Sequence, residues 1–245
     1  VKNKIAKSHF IDKKQCLKAL DSVSSGFEKW DNMDCSERSK ILEKSADIFE
    51  ERIADFIKIL SLEAGKTLND CIAEVREGVD FLRYYSKQSQ QLLKQRELPG
   101  PTGELNTFQL SGRGVFLCIS PWNFPFAIFL GQIAGALSVG NTVIAKPAET
   151  TSLIAYETIK VLLKAGLPKD AISLLIGEGK MIGETLLQRN EISGVSFTGS
   201  TETAQYINMS LAKRTDRIIP FIAETGGQNA MIVDSSALLE QVTDD

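Results

Sequence analysis

The sequence predicts an α/β protein in which a set of N-terminal helices precedes a doubly wound parallel sheet. Residues from about 12 to 95 place apolar side chains at steps of three and four, which indicates amphipathic helices. From about 104 to 223, short strands that are apolar throughout alternate with amphipathic helices, a pattern typical of a parallel sheet covered on both faces. Right-handed crossovers bring the carboxyl ends of such strands to one edge, where ligands bind. We therefore expect a Rossmann-type core with its site at that edge.

Two long helices are predicted in the N-terminal part. The first spans about 36–62, with Ser36 as its candidate cap. Gly65 supplies a stop signal and Thr67 a new cap, after which a second amphipathic helix continues to about residue 93. This region carries no chemical motif of its own, so the simplest interpretation is a helical scaffold.

A proline- and glycine-rich segment, 99–103, separates the helical part, 1–103, from the core, 104–223. In that core a short strand at about 105–110 precedes five apolar strands that alternate with four helices. The strands are predicted at 115–119, 142–146, 171–176, 194–198 and 218–223, and the helices at 125–139, 151–164, 180–187 and 202–213. The last residues, 224–245, are interpreted as the start of another domain.

Composition narrows the classes of function. The 245 residues are 43% hydrophobic and 24% charged with a net charge of -3, which gives no reason to expect nucleic acid or an anionic membrane as a partner. No apolar run approaches the length, about 20 residues, that spans a bilayer. Four scattered cysteines and a single histidine lack metal-ligand spacing, so no metal site is predicted. Free thiols of this kind fit a reducing cytoplasm.

The stretch 194–204 predicts a phosphate-binding turn. A short strand ends at Gly199, which permits a tight turn, and Ser200 or Thr201 can cap the helix that follows. Unpaired N–H groups at the positive end of a helix dipole favour a phosphate or pyrophosphate group. Any crossover from strand to helix needs a small residue here, so the stretch alone also fits a purely structural turn.

Polar side chains follow three other predicted strands. A rigid turn with two prolines and two aromatic residues, 120–125, presents one amide, Asn123. A cation and a carboxylate occur in 146–149, and a carboxylate precedes two glycines in 224–227. Taken singly, these features also fit a packing turn, a surface ion pair and a loop acid. Because all of them converge on the binding edge of one sheet, we favour a functional site.

Four ordered motifs together resemble the NAD(P)-dependent aldehyde dehydrogenase superfamily. They are Pro-Trp-Asn-Phe-Pro at 121–125, Lys-Pro-Ala-Glu at 146–149, Phe-Thr-Gly-Ser-Thr at 197–201 and Glu-Thr-Gly-Gly at 224–227. Three further stretches narrow the resemblance to the L-glutamate γ-semialdehyde (1-pyrroline-5-carboxylate) dehydrogenase part of the bifunctional proline-utilisation enzymes of proline catabolism. These stretches lie at 62–67, 73–85 and 226–230. The resemblance covers nearly the whole chain and implies NAD-dependent oxidation of an aldehyde to a carboxylate.

The resemblance assigns catalytic roles to two side chains. Asn123 would donate a side-chain N–H to the oxyanion formed when a thiol adds to the aldehyde, and Glu224 would be the general base that activates water to hydrolyse the thioester. The family's nucleophilic cysteine lies beyond the position of Glu224, and none of the four cysteines here occupies its place. We therefore expect 224–245 to begin a truncated catalytic domain and the chain alone to be inactive.

The other residues that the resemblance implicates hold the cofactor, NAD. Lys146 and Glu149 would bind the adenosine ribose hydroxyls, and a carboxylate there repels a 2′-phosphate, which favours NAD over NADP. The remaining cofactor-binding residues would line the groove or contact the pyrophosphate. They are Ser120, Trp122, Gly199, Ser200 and Thr225.

Three interpretations of the chain stay open at this point. It could be the NAD-binding portion of a dehydrogenase, which takes a small-molecule aldehyde only when a catalytic-domain fragment completes the site; its partner would be a complementing polypeptide or, in a homo-oligomer, a second copy of the chain. It could instead be a non-catalytic NAD-binding or interaction module, or a decayed gene fragment. Residues 229–233 are interpreted as an unpaired strand of the absent domain, and 105–110 as part of the family's oligomerisation flap; both favour association.

Overall fold

The computed structural model describes residues 4–227 and 230–244 and confirms an α/β architecture of N-terminal helices and a parallel sheet. The helices are α1 (Lys13–Asp31), α2 (Cys35–Glu51), α3 (Ile53–Ala64), α4 (Leu68–Leu92), α5 (Ala127–Ser138), α6 (Ser152–Ala165), α7 (Gly179–Leu186), α8 (Thr201–Ala212) and α9 (Leu239–Asp244). The strands are β1 (Arg96–Leu98), β2 (Asn106–Phe108), β3 (Val115–Ile119), β4 (Thr142–Lys146), β5 (Ile172–Leu174), β6 (Ile192–Gly199) and β7 (Phe221–Thr225). Within these described residues, no helix combines the length and the apolar character needed to cross a bilayer.

Five strands form one parallel sheet in the order β5-β4-β3-β6-β7. Along the chain, the strands move outward from β3 to β5 and then return to the other side of β3 at β6. The helices that follow β3 and β6 consequently pack on opposite faces of the sheet. A crevice opens between the carboxyl ends of these two strands, which is the topological switch point where doubly wound sheets bind ligands.

Two apolar clusters cover the faces of the sheet. One involves α2 to α6, and the other involves α7, α8 and most of α1. Alternate residues of β3 enter the two clusters, with Phe116 and Cys118 in the first and Val115 and Leu117 in the second. Burial on both sides explains why β3 is apolar throughout instead of alternating with polar residues. The expectation of a covered strand is wrong for β7 at the edge of the sheet, where the residues after Phe221 are exposed.

The single helix predicted over 36–62 is wrong. The segment forms two helices, α2 and α3, which meet at Arg52 with φ -106° and ψ 20°. Both helices pack against α4 and α6, so the apolar spacing continues across the break and does not reveal it. The cap of α2 is Asp34, whose carboxylate accepts the N–H of Ser36 at 2.8 Å, and Ser36 itself lies inside the helix.

The predicted stop and start signals between α3 and α4 are confirmed. Gly65 has a φ of 68°, in the left-handed region that favours glycine. The Thr67 hydroxyl accepts the N–H of Asp70 at 3.3 Å and caps α4. Lys66 lies between these two residues, in a turn whose main chain is fixed on both sides.

The last strand of the sheet lies further along the chain than predicted. The sequence places it at 218–223, whereas β7 ends at Thr225, which pairs with Gly199 of β6. Because β6 continues to Gly199, its hydrogen-bonded pairing with β7 continues to Thr225. Glu224 and Thr225 are therefore part of the strand instead of following it.

Strands outside the main sheet also differ from prediction. The strand expected at 105–110 is only the three-residue β2, and it pairs antiparallel with β1, a strand that was not predicted. In the strand expected at 229–233, residue 229 lies outside the described residues, and 230–233 form no strand.

A buried arginine connects the C-terminal ends of α1 and α5. Arg38 is 3% exposed and donates to the carbonyl oxygens of Trp30 at 3.2 Å, Asp31 at 2.9 Å and Ser138 at 3.3 Å, and also to that of Met33. Carbonyl groups at helix C-termini lack intrahelical donors and carry the negative end of the helix dipole. One guanidinium therefore satisfies acceptors from two helices.

Arg38→Met is expected to lower the free energy of unfolding by about 2–4 kcal/mol, because these buried acceptors lose their donor. Urea unfolding followed by circular dichroism measures the change. Arg189→Met removes an exposed ion pair with Glu191 and should cost less than about 1 kcal/mol. Equally small effects of the two substitutions would contradict the role given to Arg38.

Candidate functional site

One cleft opens at the carboxyl edge of the sheet, at the switch point between β3 and β6. Its volume is about 1050 Å³, and the described residues that line it include every site residue predicted from the sequence. These residues come from the ends of four strands and the turns that follow. They are Ser120, Trp122, Asn123, Lys146, Glu149, Gly199, Ser200, Glu224 and Thr225.

The turn after β6 has the geometry predicted for a phosphate-binding segment. Ser200, and not Thr201, caps α8, since its hydroxyl accepts the N–H of Thr203 at 3.2 Å. A Cβ atom at Gly199 would lie 2.7 Å from the ring of Phe197, so a larger residue would have to displace that ring. The start of α8 thus remains close to the cleft, with the positive end of its dipole toward the sheet edge.

Lys146 and Glu149 form an ion pair on one wall of the cleft. Lys146 Nζ lies 2.9 Å from Glu149 Oε1, which also accepts the N–H of Gly179 at 2.9 Å. The lysine side chain is 7% exposed and the glutamate side chain 38%, so the carboxylate is the more accessible partner. Burial of the Glu149 carboxyl acts to raise its pKa, but the hydrogen bonds from Lys146 and Gly179 outweigh this effect, and the pKa lies below its ordinary value. Glu149 is a fixed anion at neutral pH.

Two polar side chains, the buried Ser120 and the half-buried Gln132, lie where β3 and β6 end. Ser120 donates its N–H to the carbonyl oxygen of Lys146 at 3.1 Å, while its buried hydroxyl has no partner among the described residues. Gln132 of α5 donates from Nε2 to Thr198 Oγ1 at 3.0 Å and to the carbonyl oxygen of Ile119 at 3.3 Å. The glutamine thereby links the two strand ends. Sequence reasoning missed it, although it is the one long polar side chain in an otherwise apolar helix.

The turn that carries Asn123 is held by side chains from outside the sheet. Lys66 Nζ donates to the carbonyl oxygen of Asn123 at 3.0 Å. Glu74 Oε1 accepts the N–H groups of Phe126 at 2.8 Å and Ala127 at 3.2 Å. Neither Lys66 nor Glu74 was predicted as a site residue. The available signal was that Glu74 is the one charged residue in the buried stripe of α4.

The four thiols lie away from this cleft. Burial raises the pKa of Cys118 to about 12 and the pKa of Cys16 to about 11. Burial likewise raises the pKa of Cys71, and Cys35 occupies the first position of α2. In the described part of the chain, no cysteine lines the cleft. No group of three histidine, cysteine or acidic side chains suited to a metal ion occurs there either.

Known proteins are similar to this chain in sequence and in fold. The sequence profile of the aldehyde dehydrogenase family matches residues 1–245. The bifunctional protein PutA of Escherichia coli K12 is 48% identical over 230 residues, which are 93% of this chain and 16% of that protein. The 1-pyrroline-5-carboxylate dehydrogenase 1 of Halalkalibacterium halodurans is 36% identical over 230 residues, which are 91% of this chain and 44% of that protein.

The similarity extends to three dimensions. A crystal structure of a variant of Bradyrhizobium japonicum proline utilization A (PutA) has a TM-score of 0.95 at 48% identity, covering 97% of this chain and 24% of that one. The chain therefore spans less than half of the length of each of these relatives. The profile match over all 245 residues, the sequence identity to these relatives and the common fold all point to the same family. The chain belongs to the aldehyde dehydrogenase family, with close relatives among PutA proteins and 1-pyrroline-5-carboxylate dehydrogenases.

Proposed function

We propose that the cleft binds NAD and that the chain is the NAD-binding portion of an L-glutamate γ-semialdehyde (1-pyrroline-5-carboxylate) dehydrogenase, which oxidises this aldehyde to a carboxylate in proline catabolism. The observation that carries the proposal is the assembly of polar groups from four strand ends at the switch point of the sheet. The names of the relatives, PutA and 1-pyrroline-5-carboxylate dehydrogenase, support the choice of substrate.

The residues of the cleft fit a dinucleotide. The start of α8 offers main-chain N–H groups and a positive dipole end to a pyrophosphate. Lys146 can donate to ribose hydroxyls and Glu149 can accept from them, while the unpartnered hydroxyl of Ser120 lies in the same wall. When bound, NAD supplies the acceptor for the hydride that leaves the aldehyde carbon.

Two further residues of the cleft are proposed to act on the substrate. Asn123 donates its side-chain N–H to the oxygen that becomes negative when a nucleophile adds to the aldehyde. Glu224 stands opposite Thr198 in the ladder between β6 and β7, with its side chain exposed at the cleft. An exposed carboxylate at this place can take a proton from the water that hydrolyses the acyl intermediate.

The 245 residues are proposed to be inactive by themselves. Acyl transfer of this kind needs a thiolate nucleophile, and the four thiols lie away from the cleft. We propose that the aldehyde is taken only when a catalytic-domain fragment, supplied by a complementing polypeptide, completes the site in the cytoplasm. A homo-oligomer is proposed as a separate assembly, since further copies of this chain bring only the same four thiols. In this proposal 1–103 and 104–223 form the NAD-binding domain together with the end of β7, Glu224 and Thr225, and the rest of 224–245 begins the catalytic one.

The chain is expected to bind NAD about five- to tenfold more tightly than NADP. The anionic Glu149 side chain would repel a 2′-phosphate by about 1–1.4 kcal/mol after solvent screening. Isothermal titration calorimetry with each dinucleotide measures the two dissociation constants. In Glu149→Gln the preference should fall to about twofold or less, because the repulsion is gone while the hydrogen-bonding shape is kept.

A matched control is Glu184→Gln, which removes an exposed carboxylate on the neighbouring α7 that does not line the cleft. This variant should keep the wild-type preference for NAD. Absence of heat with millimolar NAD, while circular dichroism shows a folded chain, would contradict the proposed cofactor site. An unchanged NAD-to-NADP ratio in Glu149→Gln would contradict the role of that carboxylate.

L-Glutamate γ-semialdehyde and NAD are expected to give no NADH above background with the chain alone, because no thiolate reaches the cleft. The absorbance of NADH follows the reaction, and Cys118→Ser should behave like the wild-type chain. Turnover that persists in Cys118→Ser and disappears in Glu224→Gln would show that the site works without the nucleophile that the proposal requires.

A further inference from the structure

The turn at 120–125, between β3 and α5, is fixed at both ends by contacts of its flanking residues. At its start, the N–H of Ser120 is bound to Lys146. At its end, the ring of Phe126 lies 5.1 Å from that of Phe49 and 5.3 Å from that of Phe56. That ring passes so close to α4 that a Cβ atom at Gly78 would lie 2.4 Å from it. The middle of the turn is not packed in this way, since Trp122 is 65% exposed.

Glu74 supplies the missing cap of α5 from a different helix. The cap residue of α5, Phe126, has no hydrogen-bonding side chain, and no side chain of the turn binds the first N–H groups. Glu74 Oε1 instead accepts the N–H groups of Phe126 and Ala127. The Glu74 side chain is fully buried, so its charge requires a partner. The positive end of the α5 dipole supplies part of this compensation.

Lys66 completes the compensation and holds the middle of the turn. Its Nζ lies 2.5 Å from Glu74 Oε2, donates to the carbonyl oxygen of Asn123 at 3.0 Å and lies 4.0 Å from the centre of the Phe124 ring. A single ammonium group thus connects the buried carboxylate with two consecutive residues of the turn. Because Gly65 and Thr67 fix the main chain around Lys66, the contact restrains the turn relative to the N-terminal helices α1–α4.

We propose that Lys66 and Glu74 are positioning residues that fix the turn at 120–125 and thereby direct the side chain of Asn123 into the cleft. The functional consequence depends on the cofactor site proposed above, to which this turn contributes Ser120 and Trp122, and on the role proposed for Asn123. The restraint itself does not, since it concerns the chain without any cofactor. Without the pair, the ends of the turn stay packed while its middle, with Trp122 and Asn123, becomes mobile.

The two tryptophans of the chain make the mobility of the turn at 120–125 measurable. Trp122 reports on the middle of the turn, and Trp30 is buried, with its Nε1 donating to the carbonyl oxygen of Leu137 at 3.1 Å. After 15N labelling of tryptophan, the indole resonances and their heteronuclear NOE values give the mobility of each ring separately. Trp30 therefore serves as an internal control for the general packing.

The decisive variant is the double substitution Lys66→Met with Glu74→Gln. It removes both charges at similar side-chain volume and keeps an amide oxygen for the N–H groups of Phe126 and Ala127, so no unpaired charge is buried. We expect a lower NOE and a shifted resonance for the indole of Trp122, with Trp30 unchanged. The dissociation constant for NAD should rise about three- to tenfold, because binding must then order the turn.

A matched control removes another ion pair of α4 that does not contact the turn. The double substitution Arg83→Met with Glu50→Gln eliminates the exposed contact between α4 and α2, which is 2.6 Å long. Both indole signals and the NAD affinity should keep their wild-type values. If the Lys66 and Glu74 double variant does not fold, Glu74→Gln alone decides, since it keeps the cap of α5 and should mobilise Trp122 to a smaller extent.

An unchanged Trp122 signal in the folded variant would overturn the proposal. So would an equal change of both indoles, which would indicate general loosening. If the wild-type chain binds no NAD, the proposed cofactor site fails, while the indole measurements still decide whether Lys66 and Glu74 hold the turn. If Trp122 becomes mobile while the NAD affinity is unchanged, Lys66 and Glu74 do hold the turn. The proposal that this restraint matters for binding in the cleft would then be overturned.

Discussion

The close pairing of β3 with β6 is the contact on which the site depends. Gly194 allows the ring of Phe116 to lie across the neighbouring strand, because a Cβ atom there would be 2.4 Å from that ring. The register shifts between Val115 and Phe116, at the start of this contact. From that point the two strands pair in parallel up to Ile119 and Phe197, and Ser120 and Gly199 follow at the edge that carries the cleft. A larger residue at 194 would separate the two strands and with them the walls of the cleft.

Two ion pairs at this edge differ in what they can do. The pair of Lys146 with Glu149 is partly open and leaves a carboxylate facing the cleft, whereas the pair of Lys66 with Glu74 is nearly closed to solvent. Buried ion pairs add little net stability relative to apolar residues of the same size, but they are costly to break singly. Such a pair therefore contributes geometry more than free energy. The open pair is suited to contact a ligand, and the closed one to hold the main chain.

The sequence was sufficient to predict those features of the fold and the cleft that follow from the order of strands and helices along the chain. Parallel strands bring their carboxyl ends together, so residues after each strand, such as Asn123 and Glu149, could be placed in one cleft without knowing any contact. Glu74 and Gln132 could not be found in this way, because their partners lie 52 and 66 residues away and belong to other elements. The break at Arg52 was hidden for a related reason, since the apolar period reports which face is buried and not whether the helix continues.

The N-terminal helices are part of the binding edge and not only a scaffold beside it. Glu74 caps α5, the helix that follows β3, and Glu63 of α3 accepts the N–H groups of Leu153 at 2.8 Å and Ile154 at 2.9 Å at the start of α6, the helix that follows β4. Both helices leave the edge that carries the cleft. Burial raises the pKa of Glu63, and the two main-chain hydrogen bonds only partly offset this. Two carboxylates from α4 and α3 thus fix the directions of α5 and α6 on the same face of the sheet, so these N-terminal helices help to set the shape of the cleft edge.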